Sequence, residues 1–365
     1  MTPSAPGSPI ALPSAQHPVA PMLAKAVATV PGPDTVAGGL SYEPKWDGFR
    51  GLVYVDVTAD GVEVEIGSRG SKPLTRYFPE LVAAFSAQAT GSFVLDGEIV
   101  VRSGRAGAER LDWEALSQRI HPAASRIATL STETPAQFVA FDLLAMGDRS
   151  LVDEPFDTRR SELETLGATL ADPVFVGRRT LDVIVAERWL TDFEGAGLDG
   201  VVAKPRDASY APGKRSMLKI KHHREADVVV LGYRVHKSGS GVGSLLLGLY
   251  DDAGDLQNVG GASAFSDVRR LELVDELEPW VERDDDGRVL PAERERTRFS
   301  SGRDVSYVPL RPERVVQVRY DQMEGTRFRH TVQVERWRDD RDARSCTYEQ
   351  LETPAAYDLD DVLGA

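Results

Sequence analysis

Residues 43–50 read Glu-Pro-Lys-Trp-Asp-Gly-Phe-Arg, and the rest of the sequence can be organised around this stretch. Lys45 stands two residues before an Asp-Gly pair, which favours a tight turn. The apolar residues 51–55 that follow are typical of a strand. Lysine is a nucleophile only as the neutral amine, so a site that uses Lys45 in this way must favour that form. Taken alone, the pattern fits a solvated lysine before a hairpin better than a catalytic lysine.

Composition limits the class of protein. The 365 residues are enough for about two domains, and the net charge is -14. On the simplest rule this acidity argues against nucleic acid as a partner, but binding depends on the local field and not on the total charge. Cys346 is the single cysteine, which excludes a disulfide within the chain and fits a reducing cytoplasm. No apolar run approaches the ~20 residues of a membrane span, so we expect a cytoplasmic protein without a membrane partner.

Changes of texture along the sequence predict its domains. Residues 1–19 are rich in Pro, Ser and Ala and lack the pattern of a secretory signal, so a disordered leader is expected. Strand-like and helix-like segments alternate over a first domain, residues 20–223. Strands joined by Gly-rich turns then predict a small β-barrel over residues 224–350, followed by an acidic tail over residues 351–365. The predicted fold class is α+β.

Hydrophobic periodicity predicts the individual elements. Residues 237–244, a Gly-Ser-rich loop, are interpreted as a hairpin turn in preference to a phosphate cradle, because no helix follows them. Strands are predicted at residues 62–66, 93–101, 138–144, 198–203, 217–220, 228–235, 244–250 and 315–320, and helices at residues 78–88, 113–120 and 181–194.

Two carboxylates in apolar surroundings are candidate ligands. Glu98 lies within the apolar run 93–100, where a carboxylate is costly unless it is paired or bound to a cation. A ribose hydroxyl, a metal ion and an ordinary salt bridge all remain open for it. Asp199 precedes the apolar run 201–203 and suits an oxygen ligand of magnesium, or else marks a turn without chemistry.

Basic and aromatic residues provide the remaining candidates. Arg69 follows a predicted strand and offers a planar fork to a phosphate, although an ordinary turn arginine is the simpler interpretation. Phe141 offers a ring to a purine, although a core phenylalanine is more common. Lys219 and Lys221 share one face of a strand, where they repel each other unless an anion such as a triphosphate lies between them. They belong to residues 204–224, the most basic stretch of the sequence.

Six motifs in this order resemble those of the ATP-dependent DNA ligases, a family of the covalent nucleotidyltransferases. The resemblance extends over about residues 19–346 and is similar in detail to the short, stand-alone ligase C of actinobacteria and to the ligase module of ligase D. The motifs are residues 43–50, 68–69, 96–98, 140–142, 198–204 and 218–221, with residues 21–24 resembling the start of end-joining ligase domains and residues 329–330 and 336–341 resembling the last ligase motif.

The resemblance implies a nucleotidyltransferase (ATP-grasp-like adenylation) domain of antiparallel sheets with helices, followed by an OB-fold. It implies an enzyme that seals nicks between a 3′-hydroxyl and a 5′-phosphate in DNA repair, with ATP and Mg²⁺, or Mn²⁺ in its place. The implied partner is nicked double-stranded DNA, and the implied location is cytoplasmic and nucleoid-associated. A monomer is the expected oligomeric state. The implied roles are Lys45 as the adenylated nucleophile, Glu43 on the adenine amino group, Phe141 on the base, Arg50 and Arg69 on nucleotide and nick phosphate, Glu98 on ribose or metal, Asp199 on metal, Lys219 and Lys221 on the α-phosphate, and Arg338 and Arg341 on the leaving pyrophosphate.

Three positions depart from the family pattern, and two other classes of function stay open. Asp199 stands where many ligases have Glu, residues 216–217 replace a common aromatic, and Arg341 stands where lysine is usual. An RNA ligase or capping-type enzyme is one alternative, which Trp46 and the end-joining-like flanks disfavour. A nick-binding protein without catalysis is the other, which the intact Lys45 and its companions disfavour.

Overall fold

A computed structural model of the chain describes residues 12–70, 72–289, 292–293, 306–352 and 354–364. It divides into two compact units: a first unit made of residues 1–222 and 354–365, and a second unit made of residues 223–353. Residues 1–11 of the predicted leader lie outside the described residues. In the part of the chain that the structure describes, no helix is long and apolar enough to cross a bilayer.

The first unit contains two sheets and the helices that cover them. A larger sheet has the order β4-β3-β5-β7-β8, with β6 added to β5 and β9 added to β7, and a smaller sheet has the order β1-β11-β10-β2. The strands are β1 Leu23–Ala26, β2 Leu40–Pro44, β3 Phe49–Thr58, β4 Gly61–Ser68, β5 Phe93–Arg105, β6 Ala108–Leu111, β7 Ala136–Met146, β8 Arg149–Ser150, β9 Val174–Val176, β10 Val201–Pro205 and β11 Arg215–Ile220. The helices are α1 Pro79–Gln88, α2 Trp113–Gln118, α3 Ala124–Glu133, α4 Phe156–Gly167 and α5 Val183–Asp192.

Alternating burial along β4 explains how the larger sheet is covered on one face. Val64 and Ile66 are buried while Glu63 and Glu65 are exposed, as the period-two pattern of a half-buried strand requires. Helix α1 packs on this sheet, and its buried Phe85 meets Phe138 of β7 edge to face, with ring centres 5.5 Å apart. The strands predicted from alternation are confirmed.

The second unit is an antiparallel β structure with one long helix among its described residues. Strand β12 pairs with β13, β16 and β17, β13 pairs with β14, and β17 pairs with β20. The hairpin predicted for the Gly-Ser loop is confirmed, because β12 and β13 pair directly on either side of it. The elements are β12 Arg224–Val235, β13 Val242–Tyr250, β14 Leu256–Ala262, β15 Ala292–Glu293, β16 Ser306–Pro309, β17 Val315–Tyr320, β18 Met323–Glu324, β19 Arg327–Phe328, β20 Gln333–Trp337 and α6 Asp267–Leu277.

Residues 354–364 differ from the expected acidic tail. They belong to the first unit, and α7, Leu359–Leu363, buries the side chains of Leu359 and Val362 completely. The physical reason is the spacing of the apolar residues Leu359, Val362 and Leu363, which lie on one face of a helix, while the neighbouring carboxylates point elsewhere. The segment is therefore a packed element of the core.

The described end of the expected leader also differs from a disordered segment. The backbone N–H of Val19 donates to the Tyr54 hydroxyl at 3.2 Å, and Ala15 and Val19 pack against an apolar cluster that includes Tyr54 and Met22. The apolar side chains among the Pro and Ser residues order this short stretch because they pack against the first unit.

Candidate active site

A cavity of about 440 Å³ in the first unit gathers most of the residues that the sequence singles out. Strands β1, β2, β10 and β11 supply one part of its lining, and β3, β5 and β7 supply another. The larger sheet and the smaller sheet thus meet at this cavity. The predicted residues in the lining are Glu43, Lys45, Arg50, Arg69, Glu98, Phe141 and Lys219.

Backbone hydrogen bonds fix Lys45 against the turn that carries Asp199. The N–H of Lys45 donates to the carbonyl of Gly200 at 2.8 Å, and the N–H of Asp199 donates to the carbonyl of Lys45 at 3.0 Å. Gly200 has a φ of +134°, and a Cβ there would lie 2.0 Å from the carbonyl oxygen of Ile220. Only glycine therefore fits the position after Asp199.

One carboxylate oxygen of Asp199 receives two lysines. Lys45 Nζ pairs with Asp199 Oδ2, and Lys221 Nζ pairs with the same oxygen at 3.1 Å. Burial raises the pKa of Asp199, but the two lysines outweigh burial and leave its pKa below the ordinary value. The structure thus places Asp199, a predicted metal ligand, on the predicted nucleophile.

Lys219 completes a cluster of three amines around this carboxylate. Burial lowers the pKa of Lys219, and the charges of Lys45 and Lys221 lower it further. Lys45, Lys219 and Lys221 thus bring three positive charges to one part of the site. The arrangement suits a polyanion with several phosphate oxygens.

Glu98 is a half-buried carboxylate in the cavity wall, and its hydrogen bond comes from a backbone N–H. In the register of β3 and β5 it lies opposite Arg50, and its Oε1 accepts a hydrogen bond of 3.2 Å from the N–H of Gly48. Burial raises the pKa of Glu98 to about 7, and the charges of Arg50 and Lys45 oppose this rise only in part. A divalent cation or a hydroxyl group would stabilise the ionised form, so the residue fits the predicted metal or ribose contact.

The predicted metal ligands Glu98 and Asp199 differ from the carboxylates that lie close enough together to hold a metal ion. Within the described ranges, the three carboxylates close enough to share one ion are Glu109, Asp358 and Asp360, and none of them lines the cavity. Glu98, the predicted metal ligand that lines the cavity, is not one of the three. A single carboxylate at the cavity remains compatible with the prediction, because Mg²⁺ retains several waters and is often bound by one or two carboxylates together with substrate phosphates.

Arg50 is oriented by a network that the sequence did not reveal. Its guanidinium pairs with the carboxylate of buried Asp96, which also accepts a hydrogen bond of 2.6 Å from the Tyr210 hydroxyl. Burial and the charge of Asp96 raise the pKa of Tyr210, so the phenol remains a donor. The Arg50 guanidinium carbon lies 4.5 Å from the centre of the Phe141 ring. The sequence analysis included Asp96 only as part of the motif at residues 96–98, and it did not identify Tyr210 as a site residue.

Glu43 is held by two cations in a buried part of the cavity wall. Lys204 Nζ lies 2.7 Å from Glu43 Oε2, and Arg160 Nη1 lies 3.4 Å from Glu43 Oε1. Lys204 Nζ also donates to the carbonyl of Phe141 at 2.9 Å. Sequence reasoning included Lys204 in the motif at residues 198–204 and in the basic stretch without giving it a role, and it missed Arg160. Arg160 could have been recognised only by its burial. Two consecutive arginines of α4, Arg159 and Arg160, are buried, and the sequence alone does not reveal this.

Arg338 and Arg341 belong to the second unit, where both meet one carboxylate. Arg338 Nη1 lies 2.7 Å from Asp227 Oδ2, and Arg341 Nη1 lies 3.2 Å from the same oxygen. Arg338 also pairs with exposed Asp340 at 2.9 Å. Asp227 is buried, so its charge orders both arginines, and it was absent from the sequence predictions.

Two known domains match the chain. Residues 21–221 match the family described as the ATP dependent DNA ligase domain, and residues 238–341 match the ATP dependent DNA ligase C terminal region. The first match alone covers more than half of the sequence and contains every predicted residue of the cavity. The chain therefore belongs to the ATP-dependent DNA ligases.

Individual relatives narrow the group. The chain is 53% identical over 355 residues to DNA ligase C1 of Mycolicibacterium smegmatis, which covers 95% of this chain and 98% of the relative. It is 33% identical over 310 residues to the multifunctional non-homologous end joining DNA repair protein LigD of Mycobacterium tuberculosis, covering 83% of this chain and 36% of that protein. It is thus similar to ligase C and to part of LigD, as the motifs predicted.

A solved structure supports the fold. A Lig E DNA ligase, studied for DNA binding with a minimal scaffold, is 18% identical, with a TM-score of 0.54 over 87% of this chain and 99% of that chain. The predicted α+β fold, an adenylation domain followed by the OB-fold region of the ligases, is confirmed. The prediction of a DNA ligase enzyme is confirmed too, and RNA ligation, capping and binding without catalysis are not favoured.

Proposed function

We propose that the chain seals nicks in duplex DNA through a lysyl-AMP formed on Lys45. The observation that supports this most strongly is the position of Lys45, which lines the cavity and shares Asp199 Oδ2 with Lys221. In the first step the neutral Lys45 amine attacks the α-phosphate of ATP, a P–N bond forms, and the bond to pyrophosphate breaks.

The shared carboxylate keeps a cationic partner when Lys45 moves to the phosphate. In the structure Asp199 stabilises both ammonium groups, and one of them must become neutral before attack. Lys221 stays on Asp199 when Lys45 turns to phosphate, so the carboxylate does not lose its only partner. Lys219, whose pKa is already lowered by burial and by the other lysines, adds positive charge near the transferred phosphate.

The adenine is proposed to lie at Phe141 and Glu43. The Phe141 ring lines the cavity and offers its face to a base, while Glu43 supplies an acceptor for an amino group. Lys204 and Arg160 keep the Glu43 carboxylate in place, which permits it to remain charged although it is buried. Arg69 is proposed to contact phosphate oxygens, and Arg50, whose Nε and Nη2 pair with Asp96, is proposed to contact the nucleotide through Nη1.

Glu98 is the proposed carboxylate for Mg²⁺ or Mn²⁺. When bound, such an ion neutralises the charge that develops on the phosphate oxygens. Glu98 fits this role because burial makes its ionised form costly without a cation nearby. Asp199 is proposed to support the ion only through water, because its Oδ2 already receives two lysines.

The later steps transfer AMP to the 5′-phosphate of the nick, and the 3′-hydroxyl then displaces AMP. Nicked DNA is a proposed partner, with phosphate contacts from the basic stretch at residues 204–224. Within that stretch Lys214 and Arg215 are exposed and are the proposed contacts, whereas Lys204 is buried on Glu43 and Arg206 pairs with Asp157. A monomeric state, a nucleoid-associated location and a part in DNA repair are proposals at the same level.

The test is protein labelling followed by sealing. Purified protein is incubated with Mg²⁺ and ATP or GTP labelled at the α-phosphate, and the denatured protein is then separated on a gel. Label from ATP alone, with sealing of a nicked DNA duplex, is the expected result. Label from GTP would indicate capping chemistry, sealing of nicked RNA alone would indicate an RNA ligase, and no label from either nucleotide would refute a lysyl-AMP intermediate.

A further inference from the structure

Residues 354–364 pack behind the nucleophile although they lie outside both family matches, which end at residues 221 and 341. Leu359, Val362 and Leu363 of α7 are buried in an apolar cluster of the first unit, together with Trp46 and Leu198. These three side chains come from a segment that follows the whole second unit in sequence. The first unit is therefore completed by a segment that the family motifs do not include.

The cluster joins the segments that carry the site. Trp46 directly follows Lys45, and Leu198 directly precedes Asp199, so two members of the cluster flank the ion pair at the cavity. Phe141 is partly buried against the same cluster. Side chains of α7 thus share one apolar cluster with the neighbours of the nucleophile and its carboxylate, and the proposed adenine ring lies against the same cluster.

Specific contacts hold the segment in one place. The Tyr357 ring meets Phe193 edge to face, with ring centres 5.2 Å apart. The chain passes directly over Gly195, where a Cβ would lie 1.8 Å from the carbonyl oxygen of Ala355. Asp360 pairs with Arg102 of β5. Ring, backbone and charge contacts together distinguish this segment from a loosely attached tail.

We propose that residues 354–364 act as a clasp that positions Lys45 and Asp199 for adenylation. The clasp does not touch substrate; it acts through Trp46 and Leu198. This inference rests on the proposed role of Lys45. Loss of the clasp should lower the rate constant of self-adenylation at saturating ATP by a larger factor than it raises the ATP concentration for half-saturation, to which the partly buried Phe141 contributes. The reason is that Glu43 and its partners Lys204 and Arg160 do not belong to the cluster.

A first measurement tests the clasp without depending on enzyme activity. Leu359→Ala removes a fully buried side chain, whereas Leu359→Met keeps its volume. Hydrogen exchange should become at least about tenfold faster in Leu359→Ala for the amides of Lys45 and Asp199, which hold the two loops together. Residues 93–99 of β5 should exchange as in the wild type. Unchanged exchange at Lys45 and Asp199 would overturn the proposal.

A second measurement separates positioning from general stability. Leu81→Ala removes the same atoms from another fully buried cluster of the first unit and serves as the matched control. Self-adenylation at saturating ATP should fall at least about tenfold in Leu359→Ala, while Leu81→Ala and Leu359→Met stay within about threefold of the wild type. Tyr357→Ala, which removes only a partly buried ring, provides a milder variant if Leu359→Ala does not fold.

The outcomes distinguish this inference from the proposed function. Equal loss in Leu359→Ala and Leu81→Ala would mean that the segment only stabilises the fold, and it would overturn positioning. An undiminished rate in folded Leu359→Ala and Tyr357→Ala would overturn it as well. A wild-type protein that takes no label from ATP would refute the proposed function, and the exchange of Lys45 and Asp199 would still decide whether the clasp exists.

Discussion

Each of the two units contains a carboxylate, half-buried at Asp199 and buried at Asp227, that shares one oxygen between two cations. In the first unit Asp199 Oδ2 meets Lys45 and Lys221, and in the second unit Asp227 Oδ2 meets Arg338 and Arg341. The charge pattern is the same, but the cations differ. Lysine can become neutral and attack, whereas arginine stays charged at any physiological pH and offers a planar fork to oxygen atoms.

This difference assigns different chemistry to two similar clusters. The lysine pair at Asp199 can release one nucleophile and still keep the carboxylate satisfied. The arginine pair at Asp227 can only hold anions, such as the phosphates of ATP or the leaving pyrophosphate. Exchanging or removing members of each cluster tests the contrast.

The largest effect is expected from Lys45→Arg. The variant retains a cation for Asp199, so the melting temperature should stay close to that of the wild type. It has no neutral amine to attack phosphate, so labelling by ATP should fall by about 10⁴-fold or more. Gel labelling and thermal unfolding measure the two properties. Label retained at more than a trace would mean that another residue is the nucleophile.

The next effect is expected from Arg338→Ala and Arg341→Ala. Each removes a predicted charged contact to phosphate, so self-adenylation should fall by roughly 10- to 100-fold. Pyrophosphate leaves only in the first step, and sealing of a nick that already carries AMP should therefore persist. Arg341→Lys restores the residue that is usual in the family and should lose less than Arg341→Ala. Equal losses on ordinary and pre-adenylated nicks would assign the arginines to DNA binding or to folding instead.

A pH effect is expected from Glu98→Gln. Burial raises the pKa of Glu98 from 4.5 to about 7, so the folded state binds this proton more tightly than the unfolded state. The resulting stabilisation is complete below about pH 4.5 and is lost as the pH rises through about 7. Glutamine does not titrate, so the variant should gain stability relative to the wild type between these values. Denaturant unfolding at pH 5 and pH 8 without divalent ions measures the difference, and a constant difference would contradict the shifted pKa.

The same carboxylate predicts a metal response. Glu98→Ala should lower adenylation, with part of the loss recovered at higher Mg²⁺, because one protein ligand is missing. Asp199→Ala should show less recovery, since it loses an ion pair with Lys45 and only water-mediated support of the ion. A titration of each variant with Mg²⁺ and with chelator measures this. Wild-type activity that is insensitive to chelator would exclude a metal role for Glu98.

The smallest effect is expected from Asp227→Asn. The substitution removes the charge that two arginines share, and Arg338 and Arg341 are both partly exposed, so water takes over part of the lost stabilisation. A fall of about 5 °C in the melting temperature of the second unit is expected. Asp340→Asn, which changes an exposed partner of Arg338, is the control and should change the melting temperature less. A larger fall in melting temperature for Asp340→Asn would mean that Asp227 is not the carboxylate that mainly stabilises the two arginines.

Local patterns made the first unit predictable. The alternation of Val64 and Ile66 with two glutamates identified β4, and the turn at Asp47 and Gly48 placed Lys45 at the end of a strand. A Cβ at Gly48 would lie 2.1 Å from the carbonyl oxygen of Ile99, so the turn residue is dictated by packing. Features that depend on a few neighbouring residues, such as strands and tight turns, can therefore be predicted from the sequence.

Partners from distant parts of the chain could not be predicted. Tyr210 reaches Asp96 across 114 positions, and Arg160 reaches Glu43 across 117. Neither pair has a spacing that a helix or strand would impose, so only the tertiary fold brings them together. Helix α7 was not predicted for another reason. Its three apolar residues are too few to stand out among the surrounding carboxylates, and they are buried in a cluster with residues as distant in sequence as Trp46 and Leu198.

The order of the units along the chain has a consequence for synthesis. A ribosome translates residues 223–353 in full before it reaches the segment that covers Trp46, Leu198 and Val139. The nascent first unit therefore carries an uncovered apolar cleft for as long as the second unit is being made, which is a surface that chaperones bind and that promotes aggregation. A message cut short at codon 353 would still encode every predicted site residue, yet its product would keep that cleft open.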